Sequence, residues 1–177
     1  MEVSATFFKS IYDNKTNRNM KFNNFSQFEK LLYKLSEIPR KGKKDAELIS
    51  PASYVDDTTR ANKNVLDWSG WTAVDVDDHE FKGNLKDELY NRFGSLSYVC
   101  YSTASSSDNH PKFRLVFPLI RDVEAKEIIL IFNSIINFKV LNVVIKVSDK
   151  STWALAIPAG ISEFAAKCHT SVIGYVL

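Results

Sequence analysis

Two aspartates at the end of an apolar strand are the residues best suited to chemistry in this chain. Residues 71–76 read Trp-Thr-Ala-Val-Asp-Val, and Asp77 follows directly. Alternate residues of a strand lie on one face, so Asp75 and Asp77 should point the same way. Neighbouring carboxylates repel each other unless a cation neutralises them, and their oxygens suit Mg²⁺ or Mn²⁺. The pattern predicts a divalent metal site, although a strand that runs into an acidic surface turn has the same pattern.

A third carboxylate, Asp149, precedes a predicted strand at residues 153–157. If that strand is a neighbour of the strand that carries Asp75, the three aspartates can hold two metal ions, as in in-line nucleotidyl transfer. One ion would lower the pKa of the attacking 3′-hydroxyl, and the other would neutralise the triphosphate and the departing pyrophosphate. Asp75, Asp77 and Asp149 are therefore the predicted catalytic and metal-binding residues.

A predicted β-hairpin, with strands at residues 97–103 and 113–119, offers groups that bind phosphate. Lys112 and Arg114 should share a face by the same alternation, and arginine can hold phosphate through two parallel hydrogen bonds. The tip between the strands is rich in serine. A flexible surface hairpin is the alternative interpretation, and His110 is either a phosphate ligand or a solvated loop residue. The predicted nucleotide-binding residues are Ser105, Ser107, His110, Lys112 and Arg114.

A cluster of basic residues lies earlier in the chain. Such a cluster is either a solvated face or a contact for nucleic-acid phosphates, and the net charge of +2 does not decide between them. The predicted nucleic-acid-binding residues are Arg40, Lys41, Lys43, Lys44 and Arg60.

The composition of the 177 residues, 45% hydrophobic and 25% charged, is typical of a soluble globular domain. No apolar run approaches the roughly 20 residues that cross a bilayer, and residues 1–21 lack the pattern of a signal peptide. Cys100 and Cys168 lie far apart, and we interpret them as reduced cysteines of a cytoplasmic protein. We expect no membrane partner.

Strands and helices alternate in the order βα and then βαββαβ. Pro39 ends the first helix, Ser26 is its predicted N-cap, and Glu29 completes a capping box. The second part is a split βαβ arrangement, with an antiparallel or mixed sheet. The other predicted elements are a strand at 1–10, an extended segment at 49–54, a helix at 85–93, a helix at 123–138 and a C-terminal strand at 171–176.

The motifs in this order resemble those of the archaeo-eukaryotic primase superfamily, above all the primase-polymerase domains of phages and plasmids. Asp75-Val76-Asp77 looks like the first, metal-binding motif, and residues 101–119 are similar to the second motif of the phage branch. Asp149, ahead of a strand that ends at Ile157-Pro158-Ala159, resembles the third motif. Residues 40–60 resemble the segment before the first motif.

The resemblance implies an α/β (α+β) fold in which an RNA-recognition-type sheet, residues 61–177, joins an N-terminal α/β unit, residues 1–60. The active site would lie in a cleft between them. The implied activity is template-directed synthesis of a primer or DNA strand, with two Mg²⁺ or Mn²⁺ ions as cofactors. Its partners would be single-stranded DNA, nucleoside triphosphates and a helicase domain or protein, in the host cytoplasm if the chain is viral.

Two alternatives remain open at this point. The first is a non-catalytic module that binds single-stranded nucleic acid or initiates replication, which would keep the basic and aromatic residues but need no metal. The second is a metal-dependent nuclease or phosphoesterase, which would degrade DNA without added nucleotides.

Overall fold

A computed structural model describes residues 1–38, 47–93, 96–103, 106–124, 127 and 155–156 of the chain. These residues form strands and two α-helices, together with a short 3₁₀ turn at Asn62–Asn64. The strands are β1 (Val3–Phe8), β2 (Asn19–Phe22), β3 (Leu48–Ser50), β4 (Ala52–Tyr54), β5 (Val65–Trp68), β6 (Trp71–Val76), β7 (Val99–Ser102), β8 (Phe113–Pro118), β9 (Val123–Glu124) and β10 (Leu155–Ala156). The helices are α1 (Phe25–Ser36) and α2 (Leu85–Phe93).

The described strands form three small antiparallel sheets. Their strand orders are β10-β3-β1-β2, β4-β5-β9 and β6-β8-β7. This mixture of helices and antiparallel strands confirms the predicted mixed α/β class in its coarse form. The predicted RNA-recognition-type sheet and the cleft remain predictions.

The sheet β6-β8-β7 has an apolar layer on each face, because successive side chains of each strand point to opposite faces. On one face Val74, Val76 and Leu115 pack with Leu89 of α2 in one core cluster. On the other face Trp71, Ala73 and Val116 belong to a second cluster with β1 and α1. Asp75 and Arg114 continue this second face by alternation, beyond the end of its apolar part.

Helix α1 packs one side against the second cluster. Phe28, Leu32 and Leu35 are buried there at helical spacing. The predicted cap is wrong, because Asn24 and not Ser26 is the N-cap: its side-chain oxygen accepts a hydrogen bond from the Gln27 backbone at 3.0 Å. Gln27 in turn accepts from the Asn23 backbone at 3.1 Å.

Each core cluster contains residues from both predicted units, 1–60 and 61–177. A hydrogen bond also joins the two parts, because the Trp71 indole nitrogen of β6 donates to the Ser4 carbonyl oxygen of β1 at 2.8 Å. Trp71 is fully buried, and its ring lies 4.7 Å from that of Phe28. The segment before residue 61 is therefore part of what covers the sheet that carries Asp75.

One expectation about the chain after residue 120 is wrong. Val123 and Glu124 were expected to begin a helix, but they pair with β5 as a strand. Leu155–Ala156, the described part of the predicted strand at 153–157, pairs with β3, so these two residues do not show the pairing with the strand of Asp75 on which the third ligand was made conditional. The remainder of the predicted helix at 123–138 and the predicted strand at 171–176 lie outside the described residues.

None of the helices in the described part of the chain is long and apolar enough to span a bilayer.

Candidate functional site

Acidic and basic side chains meet at one end of the sheet β6-β8-β7. In the register of the sheet, Arg114 of β8 lies between Asp75 of β6 and Tyr101 of β7. Just beyond the ends of β6 and β8, the Lys112 ammonium lies 4.0 Å from a carboxylate oxygen of Asp77. The structure thus joins each predicted carboxylate to a predicted phosphate-binding residue, Asp75 to Arg114 and Asp77 to Lys112.

Arg114 binds Asp75 through both oxygens of the carboxylate. Its Nε donates to Oδ1 and its Nη2 donates to Oδ2, the second at 2.8 Å. A third nitrogen, Nη1, donates to the Tyr101 hydroxyl oxygen at 3.2 Å. The Arg114 side chain is only 7% exposed, whereas that of Asp75 is 41% exposed. The guanidinium is therefore buried and held by hydrogen bonds, whereas the carboxylate is partly exposed to solvent.

The electrostatics of this trio follow from its burial. Burial alone would lower the pKa of Arg114, but Tyr101 and Asp75 more than offset this and raise it above its ordinary value. Burial is also the main reason why the pKa of Tyr101 is raised, an effect that Arg114 opposes and Asp75 reinforces. Arg114 is thus a permanent cation, and Tyr101 keeps its proton at neutral pH.

The second pair, Asp77 with Lys112, is looser. The Asp77 side chain is 45% exposed and that of Lys112 is 26% exposed. A separation of 4.0 Å is the outer limit of an ion pair, and an exposed pair of this kind contributes at most about 1 kcal/mol. Breaking this ion pair costs little free energy, so Asp77 and Lys112 can each bind a ligand instead.

The hairpin tip beside these pairs has its own hydrogen bonds. Ser107 and His110 exchange two backbone bonds of 3.2 Å, and the Ser106 hydroxyl accepts from the Lys112 backbone at 2.9 Å. The His110 Nε2 lies 3.3 Å from a carboxylate oxygen of Asp78. Ser107 and His110 are both exposed, so the tip faces solvent.

His79, two residues after Asp77, is held by two hydrogen bonds. Its Nδ1 accepts a hydrogen bond from the Phe81 backbone at 3.3 Å. Its Nε2 therefore carries the proton and donates to the Pro111 carbonyl oxygen at 2.8 Å. Asp78 and Tyr101 are further partners in the site that were not among the predicted residues. Their positions next to Asp77 and within the predicted hairpin strand were the available signals.

Of the other predicted site residues, some belong to the described part of the chain and some lie outside it. Arg60 donates to the Ile11 carbonyl oxygen at 2.6 Å, and its guanidinium lies 5.4 Å from the centre of the Phe8 ring. These contacts attach Arg60 to the N-terminal segment, and its contact with nucleic acid stays a prediction. The predicted residues outside the described ones are Asp149, Ser105, Arg40, Lys41, Lys43 and Lys44.

The described residues fit a divalent cation in donor type. Asp75 and Asp77 supply carboxylate oxygens, and a carboxylate has about four lone-pair sites, so Arg114 leaves part of Asp75 available. Among the described residues no group of three or more His, Cys, Asp or Glu is arranged to hold a metal ion. The predicted third ligand, Asp149, lies outside them.

Comparison of the chain with protein-family models, with curated proteins and with solved structures found no match in any of the three.

Proposed function

We propose that the Asp75–Lys112 end of the sheet binds a nucleoside triphosphate with divalent cations and carries out nucleotidyl transfer. One observation carries the proposal: at one end of the sheet Asp75 contacts Arg114 and Asp77 contacts Lys112, and both carboxylates are partly open to solvent. Ligands for a cation thus lie beside a group that can pair with phosphate. The proposed reaction is template-directed synthesis of a primer or DNA strand on single-stranded DNA.

Lys112 and Asp77 are the exchangeable members of the site. Because their contact is long and partly exposed, Lys112 can leave Asp77 for a phosphate oxygen. Asp77 then offers both carboxylate oxygens to a divalent ion. An incoming triphosphate with its metal would replace one weak ion pair by two strong ones, and this supports coupled binding of nucleotide and metal.

Arg114 has a different role in this proposal from that of Lys112. Its guanidinium is buried and bound to Asp75 and Tyr101, so it orients the Asp75 carboxylate rather than reaching for phosphate. We therefore interpret Arg114 as a positioning residue. Asp149 remains the proposed third carboxylate.

The chemistry needs no nucleophile from the protein. When bound, divalent ions lower the pKa of the attacking hydroxyl and neutralise the charge of the triphosphate. The chain's own residues hold the reactants in line. Asp75 and Asp77 would hold the divalent ions, and Lys112 compensates the negative charge of the phosphates. Catalysis would thus depend on positioning and charge compensation.

Primer synthesis on single-stranded DNA, with nucleoside triphosphates and Mg²⁺ or Mn²⁺, tests the proposal. We expect Asp77→Asn and Asp149→Asn to lower incorporation by at least about 100-fold. The matched control is Asp87→Asn, at an exposed carboxylate on α2. Binding of Mn²⁺, followed by electron paramagnetic resonance, should weaken in Asp77→Asn and not in the control. Equal incorporation by all variants contradicts the proposal.

A second candidate is a module that binds single-stranded nucleic acid without catalysis. The bidentate Arg114–Asp75 bond favours it, because this bond already neutralises one of the two carboxylates without a metal. Binding of single-stranded DNA that persists in EDTA, without metal-dependent incorporation, would support this candidate. Degradation of labelled DNA without added nucleotides would instead indicate a nuclease.

A further inference from the structure

Four planar groups follow one another beside the candidate site. The Arg92 guanidinium lies 4.3 Å from the centre of the Phe81 ring, and Phe81 stacks on His79 with ring centres 4.5 Å apart. The rings of His79 and His110 are within 8° of parallel, with centres 6.2 Å apart. The series runs from α2 to the exposed tip of the hairpin. We call Arg92, Phe81, His79 and His110 the ring series.

The inner members of the ring series are fixed by contacts to the rest of the protein. Arg92 donates to the Glu88 carboxylate and, at 3.2 Å, to the Glu88 carbonyl oxygen. Phe81 also stacks on Phe113 of β8, with ring centres 6.0 Å apart. His79 uses both ring nitrogens in hydrogen bonds. The plane of the series is therefore set by the fold and not by the exposed ring.

The outer member, His110, is held in place while its side chain stays 48% exposed. Its backbone is paired with Ser107, and its Nε2 faces the Asp78 carboxylate at 3.3 Å. A phosphate that approached Nε2 would meet this carboxylate, and the two negative charges would repel each other. The imidazole edge is thus poorly placed for phosphate, whereas the flat side of the ring carries no such penalty.

We propose that His110 binds the base of the incoming nucleotide by stacking, rather than its phosphates. The inference rests on the proposed function and assigns its base subsite. Every nucleobase has a π-face, so a fixed planar ring binds bases with little regard to their identity. Lys112 lies two residues further along the chain, so a base on His110 leaves the phosphates near Lys112 and Asp77.

The test compares a ligand that has a base with one that lacks it. Binding of ATP and of inorganic tripolyphosphate is measured with Mg²⁺ and without DNA for the unaltered chain, His110→Phe and His110→Gln. We expect His110→Phe to keep ATP affinity within about 2-fold and His110→Gln to lose about 10-fold, the range for one base stacked on an aromatic ring. Tripolyphosphate affinity should be equal in all three. Tyr90→Ala, at an exposed ring on α2 outside the series, is the control.

The outcomes separate this inference from the proposed function. If both His110 variants weaken ATP and tripolyphosphate equally, or if neither changes ATP binding, the stacking role is wrong while nucleotidyl transfer can still stand. Base-dependent binding without any incorporation overturns the proposed function alone. If the unaltered chain binds neither ligand, both fall. Because His110 lies on the exposed tip, equal unfolding midpoints should verify that all variants fold.

Discussion

Arg114 donates hydrogen bonds to both carboxylate oxygens of Asp75 across the β6–β8 pair, although the two residues lie 39 positions apart in the chain. The guanidinium is buried and the carboxylate is partly exposed. The two partners therefore depend on each other unequally. Water can solvate Asp75 if the pair is broken, whereas Arg114 has little access to water.

Loss of the Asp75 charge should accordingly destabilise the fold. We expect Asp75→Asn to lower the free energy of unfolding by about 2 kcal/mol, below the 3–5 kcal/mol of a fully buried pair because Asp75 is partly exposed. Lys21→Gln is the control, since it breaks the exposed pair with Glu2 and should cost less than about 0.5 kcal/mol. Urea unfolding measures both. Equal effects would mean that the Asp75–Arg114 pair behaves as a solvated one.

The raised pKa of Tyr101 predicts a loss of stability in alkali. The ordinary value is 10.0, and burial raises it in the folded protein. Above pH 10 the unfolded chain therefore releases this proton while the folded protein retains it, so the stabilisation present below pH 10 is lost as the pH rises. Tyr101→Phe should reduce the slope of unfolding free energy against pH above 10.

Two further variants make this measurement specific. Burial raises the pKa of Tyr54 as well, against the effects of Ser50 and Arg60, so Tyr54→Phe should remove a second part of the slope. Tyr90→Phe, at an exposed tyrosine, controls for the loss of a phenol. A slope that is the same in Tyr101→Phe as in the unaltered chain would contradict the buried environment of Tyr101.

The elements around the site were predictable because their signals are local. The apolar run at Trp71–Val76 and the helix at Leu85–Phe93 have the predicted bounds. The hairpin β7–β8 was predicted as well, from two strands with a polar segment between them. The shared face that alternation predicts for Lys112 and Arg114 stays a prediction, because Lys112 lies just before β8.

The pairing of Arg114 with Asp75 could not be predicted, because it depends on the register between strands that are distant in sequence. The sequence placed a phosphate ligand at Arg114 and a metal at Asp75, and the structure joins these two residues to each other. The position of β10 beside β3 could not be predicted for the same reason, since nothing local to Leu155–Ala156 specifies its neighbouring strand. Alternation predicts faces, whereas the partner of a strand is set by the packing of the whole sheet.

The N-cap of α1 offers a direct comparison of sequence and structure. Asn24 accepts the capping bond from Gln27, whereas Ser26 already lies within the helix. We expect Asn24→Ala to lower the free energy of unfolding by about 1 kcal/mol and Ser26→Ala to change it by less than about 0.5 kcal/mol. Urea unfolding of the two variants decides between the caps. The reverse order of effects would restore the capping box at Ser26 and Glu29.

Trp71 leads to a prediction about how the chain unfolds. Its indole nitrogen bonds to Ser4 of β1 and its ring packs on Phe28 of α1, so the sheet of the candidate site shares its core with the N-terminal segment. Parts of a chain that share a hydrophobic core unfold in one cooperative transition. We therefore expect one cooperative transition, with coincident curves from tryptophan fluorescence and from circular dichroism at 222 nm.

Substitution of Trp71 should then move the whole transition. Trp71→Phe removes the bond to the Ser4 carbonyl and leaves a partly filled space, which should cost about 2–3 kcal/mol. Because the core is common, both spectroscopic curves should shift by the same amount and remain coincident. Leu66→Ala, at an exposed side chain of β5, should shift them by less than about 0.5 kcal/mol. Two separate transitions, of which only one responds to Trp71→Phe, would show that residues 1–60 and 61–177 fold as independent units.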